Sequence, residues 1–134
     1  MDRGELIERL EGFFRRHPEG RTAVYLYGSR ARGTAGPGSD VDLGVLFEET
    51  PPSVLGGPPD RLADELEGDL RLPVEVVALN KAPADLVHRV LRDGVLVLET
   101  DRSARIRFEV ARRREYLDLL PVLREYRRPR KVRP

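Results

Sequence analysis

Apolar residues recur along this chain at two spacings, which predict helices and strands in alternation. A spacing of three to four residues, as for Leu6, Leu10 and Phe13, predicts an amphipathic helix with one face on a core. Short runs rich in β-branched and aromatic residues predict largely buried strands. The predicted helices span residues 3–16, 60–70, 83–92 and 101–126, and the predicted strands span residues 21–27, 40–47, 72–79 and 95–98. Strands separated by helices of this length predict an α/β (α+β) domain with a sheet of about four strands and helices packed on it.

The longest predicted helix, residues 101–126, has apolar residues on two sides. Ile106 and Val110 belong to one stripe, whereas Phe108 and Tyr116 belong to a second, offset stripe. Either both stripes are buried within the domain, or part of the helix docks a partner. Pro121 is expected to kink this helix or to break its last turns.

Composition indicates a single globular domain, which we assign to residues 1–126. The chain has 134 residues, of which 40% are hydrophobic and 35% are charged. This length supports one core but not two. No apolar run approaches the roughly 18 residues of a membrane helix, and the charged N-terminus does not resemble a secretory signal. With no cysteine, these features favour a cytoplasmic protein without membrane contact.

The charge of the chain is balanced overall but uneven along its length. The net charge is only +1, so the molecule as a whole is not expected to bind nucleic acid. Residues 127–134, RRPRKVRP, carry five basic residues and two prolines, which predicts a mobile basic tail. A solubilising terminus is the favoured interpretation of this tail, and contact with nucleic acid or an acidic partner is the alternative.

Three acids in two predicted strands indicate a metal site. Asp40 and Asp42 are one residue apart in the second strand, so both side chains point to the same side, roughly 6.6–6.8 Å apart along the chain. Such a pair repels unless a cation lies between them, and Mg²⁺ prefers oxygen ligands together with substrate phosphates. Glu75 lies among valines in the third strand, which indicates a buried strand, and a buried acid is costly unless it has a partner. If that strand neighbours the second, Glu75 joins the acids; otherwise it is an edge residue facing water.

The Gly-Ser pair between the first strand and the acids predicts a phosphate-binding turn. Gly28 lets backbone N–H groups approach phosphate oxygens, and Ser29 can donate its hydroxyl to the same oxygens. Arg30 and Arg32 follow closely enough to neutralise phosphate charge. Each feature alone is weak, because Gly-Ser also forms ordinary turns and Arg-Ala-Arg also forms solvated faces. The stronger signal is the order in which these features follow one another: a strand, Gly-Ser, a loop, the acid pair and an acid in a later strand.

The segment GSRARG followed by SDVDLGV resembles the signature of the minimal nucleotidyltransferases of the DNA polymerase beta superfamily. This resemblance implies the nucleotidyltransferase fold, a mixed sheet with a long C-terminal helix. It also implies that Gly28 and Ser29 bind the triphosphate, that Asp40 and Asp42 bind Mg²⁺, and that Glu75 takes the third-acid position. That position is often Asp in the family, and Glu is one methylene longer.

The later sequence, residues 74–101 and the Tyr116-Leu117-Asp118 stretch, is similar to the MntA-type antitoxins. These accompany a HEPN-domain toxin ribonuclease and transfer AMP from ATP to a tyrosine hydroxyl of that toxin. The resemblance therefore implies ATP as co-substrate, Mg²⁺ as cofactor and a hetero-oligomer with a HEPN toxin. Two alternatives stay open: a nucleotidyltransferase acting on a small molecule, and an antitoxin that masks its toxin without catalysis.

Overall fold

The computed structural model describes residues 1–127, so most of the predicted basic tail, residues 127–134, lies outside the described residues. Helices and strands alternate through the described chain. The helices are α1 (Arg3–Arg16), α2 (Gly28–Arg32), α3 (Pro58–Leu70), α4 (Ala84–Asp93) and α5 (Arg102–Arg127), and the strands are β1 (Arg21–Tyr27), β2 (Val41–Phe47), β3 (Val74–Ala78) and β4 (Val95–Glu99). The predicted α/β (α+β) class and the predicted helices and strands are confirmed, except that β2 begins at Val41, so Asp40 lies in the loop just before the strand and not within it.

The four strands form one mixed sheet in the order β3-β2-β1-β4. Strand β1 is antiparallel to both β2 and β4, whereas β2 and β3 are parallel. The hydrophobic pattern did not predict this order. The observed strand order places β3 beside β2, at one edge of the sheet.

Each face of the sheet buries its own apolar cluster. Helices α1 and α3 contribute to one cluster, with Leu10, Phe14, Leu62 and Leu66 packed on β1 and β2 residues. Helix α4 contributes to the other cluster through Val87 and Val90, and Phe108 of α5 packs against it. Side chains along a strand point alternately to the two faces of the sheet. In β2, Val41 and Leu43 point to the face that carries α1 and α3, so Asp42 between them points to the face that carries α4.

Helix α5 is attached along its first half and exposed along its second. It continues through Pro121 to Arg127, so the proline does not end it. Leu117, Val122 and Tyr126 are 62%, 55% and 88% exposed, and no residue of α5 is buried. This excludes the alternative that both apolar stripes are covered within the domain. Within residues 1–127, none of the helices combines the length and apolar composition needed to cross a membrane.

A polar network attaches the first half of α5 to the sheet. Buried Tyr25 of β1 donates its hydroxyl to Glu109 Oε1 at 2.6 Å. Arg105 bridges Glu109 at 2.9 Å and Glu99 at 2.5 Å. Burial raises the pKa of Tyr25, and the hydrogen bond to Glu109 adds to the effect. The tyrosine is therefore protonated and able to donate at neutral pH.

We expect Tyr25→Phe to lower the free energy of unfolding by about 1–3 kcal/mol, because the carboxylate of Glu109 loses a partly buried donor. Urea unfolding of the full chain measures this change. Tyr126→Phe is the control, since Tyr126 is 88% exposed and its hydroxyl contributes little to stability. Equal unfolding midpoints for the two variants would show that the network does not hold α5 in place.

Candidate active site

Three polar side chains form a row across neighbouring strands at one end of the sheet. In the strand register Tyr27 of β1 pairs with Asp42 of β2, and Asp42 pairs with Glu75 of β3. Paired residues on adjacent strands project to the same face, and here that is the face that carries α4. The predicted proximity of Asp42 and Glu75 is therefore confirmed by the register.

The turn after β1 brings the backbone of Gly28 against Asp42. Gly28 has φ of 73°, a left-handed conformation that glycine adopts without steric penalty. A Cβ atom at this position would lie 3.2 Å from Asp42 Cγ and even closer to Asp42 Oδ2. Glycine is thus required twice, by the backbone conformation and by the close carboxylate. Helix α2 begins at this residue and ends at Gly33, whose φ is 76°.

The carboxylates of Asp40 and Glu75 lie close enough to Asp42 to repel its negative charge. Partial burial raises the pKa of Asp42 above its ordinary value, and the neighbouring charges of Glu75 and Asp40 raise it further, whereas Arg32 acts in the opposite direction. Burial also raises the pKa of Tyr27 to about 12, with Asp42 and Glu75 as the next causes. Concentrated negative charge of this kind is relieved when a cation binds.

A cleft of about 330 Å³ lies beside Asp42. The residues that line it come from the end of β1, from α2, from β2 and from the last turns of α4: Tyr27, Gly28, Ser29, Arg32, Asp42, Arg89, Arg92 and Asp93. Two larger cavities, of about 420 and 470 Å³, lie beyond the opposite ends of β2 and β3 and contain neither Asp42 nor Gly28. The volume of a cavity therefore does not identify the candidate active site. The combination of a glycine turn, a carboxylate and arginines in one cleft does.

Of the predicted ligands, Asp42 is half-buried, while Asp40 and Glu75 are exposed at its sides. Glu75 faces water on an edge strand, so the expectation that its apolar neighbours bury it is wrong. Within residues 1–127, no three His, Cys, Asp or Glu side chains are grouped closely enough to hold a metal ion by themselves. The donor chemistry still fits Mg²⁺, which usually takes one or two carboxylates and completes its shell with water and substrate phosphates.

The structure places Arg30 away from the cleft. Its buried guanidinium donates to the carbonyl of Ser39 at 3.0 and 3.2 Å, to Pro37 at 3.2 Å and to Met1 at 3.4 Å. These bonds anchor the loop between α2 and β2 and so position Asp40. The sequence predicted that both Arg30 and Arg32 neutralise phosphate charge, but only Arg32 lines the cleft. Helical geometry turns Arg30 to the opposite side of α2.

We expect Arg30→Gln to lower the free energy of unfolding by about 1–3 kcal/mol, because buried carbonyls lose their donors. The matched control is Arg32→Gln, two residues away and exposed, where a change within about 0.5 kcal/mol is expected. Urea unfolding of both variants measures the difference. A larger loss for Arg32→Gln would contradict the assignment of Arg30 to the loop.

Three residues of the cleft were not identified from the sequence. Tyr27 ends an apolar strand and resembles a core residue in the pattern. Arg89 and Arg92 lie in a short amphipathic helix, where charged residues normally form the solvated face. Only the packing of α4 beside α2 reveals that this face borders the cleft. The helical spacing of the two arginines was the available signal.

At this site a left-handed glycine turn adjoins carboxylates and a basic cleft. This arrangement has the donors and charges that could hold phosphate groups together with a divalent cation. The family model described as "Polymerase beta, Nucleotidyltransferase" matches residues 8–103. The chain therefore belongs to the polymerase beta nucleotidyltransferase family, and the predicted family is confirmed.

Solved structures share the same fold. A toxin–antitoxin complex with AMP-PNP contains a chain that is 22% identical, with a TM-score of 0.70 over 90% of this chain and 97% of that one. The antitoxin bound to a tri-AMPylated HEPN toxin of Shewanella oneidensis is 20% identical, with a TM-score of 0.63 over 90% and 98% of the two chains. A candidate minimal nucleotidyltransferase is 35% identical, with a TM-score of 0.52 over 71% and 95%. None of the curated proteins matches the chain.

Proposed function

We propose that this chain is an antitoxin that transfers AMP from ATP to a tyrosine hydroxyl of a partner HEPN-domain toxin and thereby neutralises it. The carrying observation is the register that sets Asp42 beside Glu75, with Gly28 folded against Asp42. Carboxylates and a glycine turn at one cleft can hold the phosphates of one nucleotide. The antitoxin bound to an AMPylated toxin has the same fold, which supports this choice of acceptor.

In the proposed reaction the tyrosine oxygen attacks the α-phosphorus of ATP, and the bond to the β-phosphate breaks. Pyrophosphate leaves, AMP becomes linked to the tyrosine oxygen, and the hydroxyl proton passes to Glu75 or to water. Asp40 and Asp42 would hold Mg²⁺, which when bound offsets the charge that develops on the phosphate oxygens. The backbone at Gly28 and the hydroxyl of Ser29 would orient the phosphates, and Arg32 would neutralise part of their charge.

The shape of α5 supports a protein acceptor. Its second half exposes apolar residues on more than one side, among them Leu117, Val122 and Tyr126, and this domain does not cover them. Exposed apolar residues along one helix are typical of a site for another protein. A small-molecule acceptor would not require such a surface. The hetero-oligomer with a HEPN toxin is therefore part of the proposal.

Intact-mass spectrometry of the partner tests this function. The full chain is mixed with the HEPN protein encoded nearby, with ATP, and with Mg²⁺ or excess chelator. The proposal predicts a mass gain of one or more AMP units that requires Mg²⁺. Neutralisation of the toxin without any mass change would instead support masking by binding. AMP transfer to a small hydroxyl compound, without complex formation, would support the small-molecule alternative.

A further inference from the structure

The cleft beside Asp42 has a second basic wall, which belongs to α4. Arg89 and Arg92 lie one helical turn apart and both line the cleft, together with Arg32 from α2. Side chains at this spacing are neighbours on a helix surface. The lining therefore contains three guanidinium groups against two carboxylates, those of Asp42 and Asp93.

Helix α4 is held so that this basic face cannot turn inward. Val87 and Val90 are buried in the core on its opposite side. His88 stacks on Tyr116 of α5, with ring centroids 3.8 Å apart and planes 5° from parallel. Because the helix is fixed by apolar packing and by this stack, the two arginines are presented to the cleft and to solvent.

Within residues 1–127, one of the three arginines that line the cleft forms an ion pair, and the other two do not. Arg92 forms a two-bond pair with Asp93, at 3.0 and 2.9 Å. In contrast, neither Arg32 nor Arg89 forms an ion pair with a carboxylate in the described part of the chain. Unpaired guanidinium groups that border a small cleft match the charge and geometry of phosphate oxygens.

We propose that Arg89 and Arg92 bind the terminal phosphates of the nucleotide and make the site select triphosphates over monophosphates. This inference rests on the proposed function, in which the reacting α-phosphate lies next to Asp42. The phosphates beyond it then extend along the cleft, whose remaining wall is α4. The same arginines hold the pyrophosphate as it leaves, and each additional phosphate adds charge that they neutralise.

Isothermal titration calorimetry of the full chain with Mg²⁺ tests this assignment. The ligands are a non-hydrolysable ATP analogue and AMP. We expect Arg89→Gln and Arg92→Gln each to weaken binding of the ATP analogue about tenfold or more, since charge-assisted hydrogen bonds are lost, and to leave AMP binding nearly unchanged. The control is Arg15→Gln, on the exposed surface of α1 and on the other face of the sheet. It should bind both ligands as the unmodified chain does.

Asp93→Asn separates phosphate binding from a purely structural role of Arg92. An arginine in the last turn also stabilises a helix, and its pair with Asp93 could serve only that purpose. If Arg92 binds phosphate, Asp93→Asn should keep or tighten binding of the ATP analogue, because it frees the guanidinium. If the pair is only structural, Asp93→Asn and Arg92→Gln should weaken binding alike, and that result overturns the inference.

Two further outcomes are decisive. If the unmodified chain binds the ATP analogue and both arginine variants bind it equally well, the inference fails while the proposed function stands. If the unmodified chain binds neither ligand, both fail together. Thermal unfolding followed by circular dichroism confirms that each variant is folded before its binding is compared.

Discussion

Replacing Asp42 with asparagine should lower the rate of AMP transfer by at least about 10²-fold, because it weakens binding of the Mg²⁺ that Asp42 is proposed to hold, and one preorganised electrostatic contact to a reacting group is worth about 10²–10³-fold. Asn keeps the size of the side chain and removes only its charge. Asp42 is the central member of the row, paired with Tyr27 on one side and Glu75 on the other. The measurement is the initial rate of AMP incorporation into the partner at saturating ATP.

The same substitution should leave the fold intact and slightly stabilise it. Burial and the neighbouring acids raise the pKa of Asp42 in the folded protein, so ionising this carboxyl costs more free energy in the folded state than in the unfolded chain. Removing the charge relieves that repulsion, which is the behaviour expected of a residue kept for function. The control is Asp64→Asn on the exposed side of α3, which should transfer AMP normally. A normal rate for Asp42→Asn would contradict the site.

Gly28→Ala should lower the rate of transfer about 10²-fold, the usual consequence of misplacing a reacting group by about 1 Å. The new Cβ would collide with the carboxylate of Asp42, whose Cγ lies 3.2 Å from that position. Either Asp42 or the turn must shift, and both are needed for the phosphates. The initial rate of AMP incorporation measures the loss.

Gly33→Ala is the matched control for this change. Gly33 has φ of 76°, close to the 73° of Gly28, so both variants carry a similar backbone strain of about 1–2 kcal/mol. At Gly33, however, an added Cβ would have nothing within 4 Å. Both variants should therefore unfold at similarly lowered urea concentrations, while only Gly28→Ala loses the rate. Equal rates for the two would show that the contact with Asp42 does not matter.

The helices and strands could be predicted from the sequence because each has a clear hydrophobic period. The Gly-Ser turn and the acid pair were equally readable, since they lie close together in the chain. The sequence left open whether Glu75 joins the acid pair, because that depends on β3 lying beside β2. The valine neighbours of Glu75 indicated burial, whereas β3 is an edge strand and the side chain is exposed. Exposure depends on strand order, which the pattern of one strand does not contain.

The arginines of the cleft were harder to predict than the acids, because their positions depend on three-dimensional packing. Arg30 and Arg32 look equivalent in the sequence, yet the roughly half turn of α2 between them separates a buried loop anchor from a cleft residue. Arg89 and Arg92 are more than fifty positions beyond Arg32 in the chain, and the packing of α2 beside α4 alone brings the three together. Local pattern identifies the acids of this site, whereas tertiary structure identifies most of its basic residues.

The most direct test of the central claim is to follow which phosphate of ATP reaches the acceptor. The chain and its HEPN partner are incubated with Mg²⁺ and ATP labelled in either the α- or the γ-phosphate, and label on the partner is counted. Transfer of AMP predicts label from the α-phosphate, none from the γ-phosphate, and loss of the signal in Asp42→Asn. Label from the γ-phosphate, or from neither position while the chain still neutralises the toxin, would contradict the account.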